Sequence, residues 1–344
     1  MLNHRRHQRQ LKRVAIFGGA IASFIILSAA QVNVSAALRG EIFPEPTPIV
    51  SETAHAIAQP LLDHATEADA DGASPTHVEE MVRQLNQYRA QQNLLPLKVN
   101  AALMQAAQDY ATRLALGDFF GHYDPDFNCN RPSDRAAAAG YTQWNVIGEN
   151  LAAGYPSPES ALDALKRSAG HNAAMLSADF REVGIGYYYE QNDAANVRQN
   201  GACPYTSVGG PYRYYWVQLF GARNNNGIPV FPVVINGEAV STTQRLVNVH
   251  IHGAVGGTPW VQQIRFSEDN VTWSPFEPYS PHRAFLLSRG TGLKTVYVQL
   301  IAGGAVQTSS DSIYLVDDGE TDPPMPPRAF IPIVNGAAAP EQAQ

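Results

Sequence analysis

Gly121-His122-Tyr123-Asp124-Pro125, Gly148-Glu149-Asn150-Leu151-Ala152, Ser168-Ala169-Gly170-His171-Asn172 and Tyr215-Trp216-Val217-Gln218-Leu219-Phe220-Gly221 are the stretches on which the reading of this chain turns. They set two histidines and a carboxylate beside glycines, in what read as three connections. Two imidazoles and a carboxylate suit a Zn²⁺ ion with an open position, an arrangement that lowers the pKa of bound water toward about 7. No local motif such as HExxH joins His122, Glu149 and His171. Spacing therefore leaves a shared metal site and three independent polar residues both open. A further arrangement, with Ser168 as nucleophile, His171 as base and Glu149 as orienting acid, requires a fixed chain of hydrogen bonds. Asp124 and Asp126 read as turn and cap residues, with an extra ligand role as the alternative.

Outward from these stretches, composition sets the limits. The 344 residues suit two domains, and 44% hydrophobic content supports a core in each. A net charge of -7 argues against a nucleic-acid partner, which needs a basic face. Residues 1–36 read as an export signal: Arg5, Arg6, Arg9, Lys12 and Arg13 precede an uncharged apolar run from Val14 to Leu27. Small residues at Ser28-Ala29-Ala30 and Val34-Ser35-Ala36 offer cleavage sites, and retention as an N-terminal anchor is the alternative and the one route to a membrane. An oxidising destination makes Cys129 and Cys203 a disulfide candidate, since neither belongs to a CxxC pair. In the chain-entropy model, closing that loop stabilises by about 4 kcal/mol.

Residues 37–75 are acidic and rich in Pro and Ala, the composition of a disordered spacer. Thr76 and Glu79 form a capping-box pattern before Val78, Met81, Val82, Leu85 and Tyr88 at helical spacing. Asn100 caps a second helix whose stripe, Leu103, Ala106, Ala107, Tyr110 and Leu114, stops at Gly117. A short third helix is expected over 133–140, and Ser157-Pro158-Glu159 starts a fourth carrying Leu162 and Leu165. The period then changes from helix to sheet: Val183, Ile185, Tyr187 and Tyr189 alternate on one strand, and Tyr215, Val217 and Leu219 on another. The two form a hairpin around a wide polar loop that holds Cys203. The aromatic run of Tyr187, Tyr188, Tyr189, Tyr214, Tyr215 and Trp216 reads as sheet packing, with a hydrophobic or sugar-stacking wall as the alternative.

With these elements in place, residues 79–223 resemble the CAP superfamily of cysteine-rich secretory proteins, antigen 5 and pathogenesis-related 1 proteins, in its bacterial form. The resemblance rests on Leu85-Asn86-Gln87-Tyr88-Arg89, Leu97, Phe120-Gly121-His122, Asp134-Arg135 with Gly140-Tyr141, the Gly148 and Ser168 blocks, Phe180 with Val183-Gly184-Ile185-Gly186, and the Tyr215 block, all in the family's order. It implies an α+β fold, an α-β-α sandwich whose central cleft holds two histidines and two acids able to bind a divalent metal. The matching cleft positions are His122, Glu149 and His171. Ser168 stands where many members carry a second Glu, and Leu165 where a Trp is frequent. The resemblance implies Zn²⁺ as the possible cofactor, Glu149 and His171 as the candidates for any catalysis, and Ser168 as a cleft contributor.

Beyond the CAP-like domain, expected over 76–225, residues 226–317 read as an all-β immunoglobulin-like or fibronectin-like sandwich. Strands are expected at 246–251, 261–266, 284–287, 295–301 and 313–316. His250 and His252 share a face of one strand; exposed strand histidines and a metal pair are the two readings. Residues 318–344 form a Pro-rich disordered tail whose Phe330-Ile331-Pro332-Ile333-Val334-Asn335 echoes residues 231–236. The expected protein is extracellular or surface-bound. Its cleft binds a metal and a lipid, sterol or cell-envelope glycan; the alternatives are a metal-dependent hydrolase and a non-catalytic adhesion or wall spacer.

Overall fold

The computed structural model describes residues 24–28, 75–199 and 203–317. The spacer expected over 37–75, apart from Pro75, which opens the first helix, the tail over 318–344 and the export segment apart from Phe24–Ser28 lie outside the described residues. Five helices are described: α1 Pro75–Gln91, α2 Ala101–Leu116, α3 Pro132–Ala138, α4 Pro158–Arg167 and α5 Ala169–Met175. Local chemistry sets their ends. Asn100 accepts from the backbone N–H of Ala102 and Leu103, α2 stops at Gly117, and the Ser157 hydroxyl accepts from Ser160 N–H ahead of Pro158.

The first sheet contains β1 Phe24–Ser28, β2 Lys98–Val99, β4 Trp144–Ala153, β5 Glu182–Tyr189 and β8 Tyr214–Asn225, in the order β1-β4-β8-β5-β2. β5 and β8 form the expected antiparallel hairpin, ending with Tyr189 opposite Tyr214. β2 runs parallel to β5, and β1, inside the expected export segment, pairs antiparallel with β4 at the edge. Both sheet faces are covered, so the alternating side chains of β8 enter different cores. Tyr215, Val217 and Leu219 pack with α2 and α3, while Trp216 and Phe220 pack with α1, α4 and α5. That is the α-β-α sandwich. Tyr187, Tyr215 and Trp216 are buried in it, which makes the aromatic run core packing at these positions.

β4 was not foreseen. Its sequence, Trp-Asn-Val-Ile-Gly-Glu-Asn-Leu-Ala-Ala, puts Gly148, Glu149 and Asn150 at its centre, and such a polar group in a short run reads as a turn. Glu149 therefore lies inside a central strand and not in a Gly-Glu-Asn turn. A small sheet of β3 Phe119–Phe120, β6 Val197–Gln199 and β7 Ser207–Gly209 lies in the loop region, where Cys129 and Cys203 form a disulfide.

Among the described residues from 228 to 317 the regular elements are all strands: β9 Ile228–Pro229, β10 Val233–Ile235, β11 Ser241–Thr242, β12 Leu246–Ile251, β13 Ala254–Val255, β14 Thr258–Pro259, β15 Val261–Ser267, β16 Glu277–Pro278, β17 His282–Leu286, β18 Gly292–Ala302 and β19 Ala305–Leu315. A three-stranded sheet, β10-β12-β17, and a five-stranded sheet, β11-β19-β18-β15-β16, share one core. Val247, Val249 and Ile251 from the first meet Ile264, Phe266, Val296 and Val298 from the second. This is two-sheet packing with inward and outward residues alternating along each strand.

Candidate functional site

Tyr110 and Gly121 begin the site. The Tyr110 hydroxyl on α2 donates to the Gly121 carbonyl at 2.5 Å, which fixes the loop that carries His122. Alternation along β4 sends Ile147, Glu149 and Leu151 toward the α2 and α3 layer. There His122 Nδ1 lies 2.8 Å from Glu149 Oε1, both side chains buried. The other carboxylate oxygen accepts from Arg135 Nη2 at 2.6 Å. Arg135, on α3, also donates through Nη1 to the carbonyls of His122 and Asn130 and stacks 3.3 Å from the centroid of the Tyr110 ring. Burial, ahead of the neighbouring charges, pushes the Tyr110 phenol well above its ordinary value, so it remains a hydrogen-bond donor.

Asn150, the next residue on β4, points to the opposite face. Its Nδ2 donates to the His171 carbonyl at 3.1 Å and to Gln218 Oε1 at 3.0 Å. His171 is fully buried on α5, not in a turn as expected, and α5 packs in the α1 and α4 layer through Ala174 and Met175. Tyr88 Oη donates to Asn172 Oδ1 at 2.8 Å, joining α1 to the same helix. Ser168 is half-buried at the junction of α4 and α5, serving both as backbone cap, and its hydroxyl makes no cap bond.

Of the expected site residues, His122 and Glu149 are thus in direct contact, while the helix bearing His171 packs from the other side of the sheet. Among the described residues, no group of three or more His, Cys, Asp or Glu side chains is placed to hold a metal ion. The donor chemistry agrees: both oxygens of Glu149 are engaged, and the Arg135 guanidinium supplies the positive charge that a dication would bring. The residues present do not fit a zinc ion sharing Glu149 with the two histidines. Asp124 is buried against Arg113 at 2.8 Å, and Asp126 joins Arg113 and Arg198, so neither is an open ligand. Hydrogen bonding to Arg198 leads the causes that hold the Asp126 carboxyl down at about 2.

Arg135 is the residue that motif reading passed over as a site member. Its signal lay in the Asp134-Arg135 pair, but only the approach of α3 to β4 shows which carboxylate it meets. Arg89 and Asn86, from the opening-helix motif, prove to be framework. Arg89 donates to the carbonyls of Leu95, Met175 and Ser177, and Asn86 holds both backbone groups of Leu97.

Residues 82–220 match the model of the cysteine-rich secretory protein family, CAP. The uncharacterized protein YkwD of Bacillus subtilis (strain 168) is 27% identical over 122 residues, 36% of this chain and 46% of that protein. The uncharacterized membrane protein YlbC of the same organism is 26% identical over 110 residues, 31% of each chain. The chain spans less than half the length of these curated relatives. An outer surface protein from Borrelia burgdorferi aligns at 19% identity over 42% of this chain and 92% of its own, with a TM-score of 0.34. An extracellular protein containing a SCP domain from Bacillus anthracis str. Ames aligns at 19% identity over 43% and 41%, also with a TM-score of 0.34. Order of motifs, sandwich architecture and family match agree over one stretch: residues 82–220 carry the match to the cysteine-rich secretory protein (CAP) family model.

Proposed function

We propose that the protein works outside the cytoplasm as a non-catalytic CAP module that binds an apolar envelope ligand, a lipid or sterol, through the disulfide-tied rim of the domain. The observation that carries this reading is a group of exposed apolar side chains gathered around Arg198. Leu116, Phe127 and Val208 are exposed at 59%, 61% and 63%. Val208 lies directly opposite Arg198 in the β6–β7 pair, so the two side chains share a face. Arg198 in turn bonds Asp126, next to Phe127, and the Gly117 carbonyl, next to Leu116. Exposed apolar side chains set beside a cation match the amphipathic boundary of a lipid, with the charged head at the guanidinium. A disulfide at Cys129 and Cys203 joins the two loops that carry Phe127 and Val208, in keeping with an oxidising compartment.

Binding is favoured over hydrolysis by the state of Glu149. A general base must reach the proton it takes from a bound substrate or water, and this carboxylate is fully buried, held between His122 and Arg135 with no surface facing solvent. The buried His122-Glu149-Arg135 group acts as a brace for the loop that leads to the rim. No helix among the described residues is long and apolar enough to cross a membrane.

The test is co-flotation of the purified protein with vesicles of neutral and anionic phospholipid, with and without sterol. A Phe127→Ser, Val208→Ser double variant should lose at least about tenfold in binding, because burying even part of two such side chains is worth over about 1.4 kcal/mol. Equal binding by wild type and variant, or binding to glycan alone, would refute the reading.

A further inference from the structure

We infer that His250 and His282 form a two-imidazole site for a late first-row divalent metal ion on the outer face of the C-terminal β-sandwich, separate from the CAP cleft. Sequence alternation pairs His250 with His252, but β12 ends at Ile251 and His252 turns into the seam between the two halves of the molecule. There the buried His252 donates through Nε2 to the Pro96 carbonyl at 2.8 Å, which removes it from any surface pair. The partner of His250 comes from the adjoining strand. His282 on β17 stands opposite His250 in the antiparallel register, and residues so placed project from the same face. Along β12, Val247, Val249 and Ile251 point into the core, so Asn248 and His250 point out.

The separation of the two nitrogens suits a chelate. The two Nδ1 atoms are 3.0 Å apart with the rings nearly perpendicular, at 89°. With zinc–imidazole bonds of about 2.0–2.1 Å, two nitrogens on one ion lie about 2.9 Å apart at a right angle and about 3.3 Å apart in a tetrahedron. The observed separation falls in that range. Without a metal, one ring donates its Nδ1–H to the other; an ion bound to both nitrogens would sit to one side of the line joining them, so each ring turns about its side-chain bonds to aim its lone pair at the ion. His282 is exposed, which leaves the ion open to water on its remaining positions. Neutral imidazole donors with no carboxylate suit Cu²⁺, Ni²⁺ and Zn²⁺, with Cu²⁺ tightest, and disfavour Mg²⁺ and Ca²⁺.

The experiment titrates the purified full chain at neutral pH with Cu²⁺, Ni²⁺, Zn²⁺ and Ca²⁺ by calorimetry, and records Cu²⁺ electron paramagnetic resonance at one equivalent. His282→Gln is the principal variant, because an exposed strand residue can change without loss of the core; circular dichroism checks the fold. His122→Gln reports on the CAP cleft. Even outer-shell partners are worth about 10–100-fold in metal affinity, so His282→Gln and His250→Gln should each weaken the first equivalent at least about tenfold. The spectrum should show nitrogen coupling from two imidazoles in wild type and in His122→Gln, and lose one in His282→Gln. An unchanged first equivalent and spectrum in His282→Gln would overturn the site, as would a loss found in His122→Gln alone, or tight binding of Ca²⁺ in preference to Cu²⁺.

Discussion

Arg135 is held by Glu149, by two backbone carbonyls and by the face of Tyr110, and it balances a carboxylate with no exposure to water. Removing one member of such a buried pair leaves the other charged and unpartnered. Arg135→Ala is therefore expected to cost about 3–5 kcal/mol in urea unfolding. Adding Glu149→Gln to that variant removes the stranded charge and should restore more than about 1 kcal/mol, a coupling read from the double-mutant cycle. A double-variant loss equal to the sum of the two single losses would mean that the pair does not interact. The side chains of this group were legible in part. His122 and Glu149 stood out by their glycine-flanked positions, whereas Arg135 looked like any helix-surface arginine until its helix was seen against β4.

At the scale of elements, α2 lies unusually close to β5. A Cβ at Gly184 would run into the Leu103 carbonyl, and one at Gly186 into the Ala107 carbonyl. Backbone atoms in a helix do not step aside as a flexible side-chain tip does. Gly184→Ala should accordingly destabilise by at least about 1–3 kcal/mol by thermal or urea unfolding, while Gly140→Ala, with nothing near its Cβ, tests the separate effect of positive φ. Helices were readable because their caps and stripes are local: Asn100, Gly117 and Ser157 each act within a few residues. β5 and β8 were readable for their alternation. β4 was not, since its central Gly-Glu-Asn is polar for reasons that lie on other elements, namely His122, Arg135 and the His171 carbonyl.

Across the whole molecule, the CAP domain and the β-sandwich meet in a polar seam. Lys98 of β2 bonds Glu238 at 3.0 Å and also Asp311 of β19, whose other oxygen accepts from Ile235 N–H at 2.6 Å. Asn86 donates to the Gly237 carbonyl, His252 to that of Pro96, and Arg181 packs over the Phe231 ring. Burial first, and Asp311 second, push the Glu238 carboxyl up to about 8 despite the opposing pull of Lys98. Burial opposes the ammonium form of Lys98, but Asp311 and then Glu238 outweigh it and raise that group. The folded protein thus holds a proton on Glu238 that the unfolded chain releases near its ordinary value of 4.5. Stability from this group is complete at acid pH and falls as pH rises through about 8. Lys98 acts above its ordinary 10.5, outside that window. Thermal unfolding from pH 5 to pH 9 should show wild type losing stability relative to Glu238→Gln; parallel curves would remove Glu238 from the cause.

Local signals in the sequence were enough to establish both ends of α2, the start of α4, the β5–β8 hairpin and the order of CAP motifs, and to make the two cysteines a candidate pair, because each depends on residues near in sequence or on a pattern of types. Tertiary structure alone decided that Arg135 shares Glu149 with His122, that His171 arrives on the opposite side of the sheet, and that His250 faces His282 instead of His252. Those outcomes depend on which strand neighbours which and on where each strand ends. A single chain of residue types does not carry that information until the cores on both sheet faces have closed.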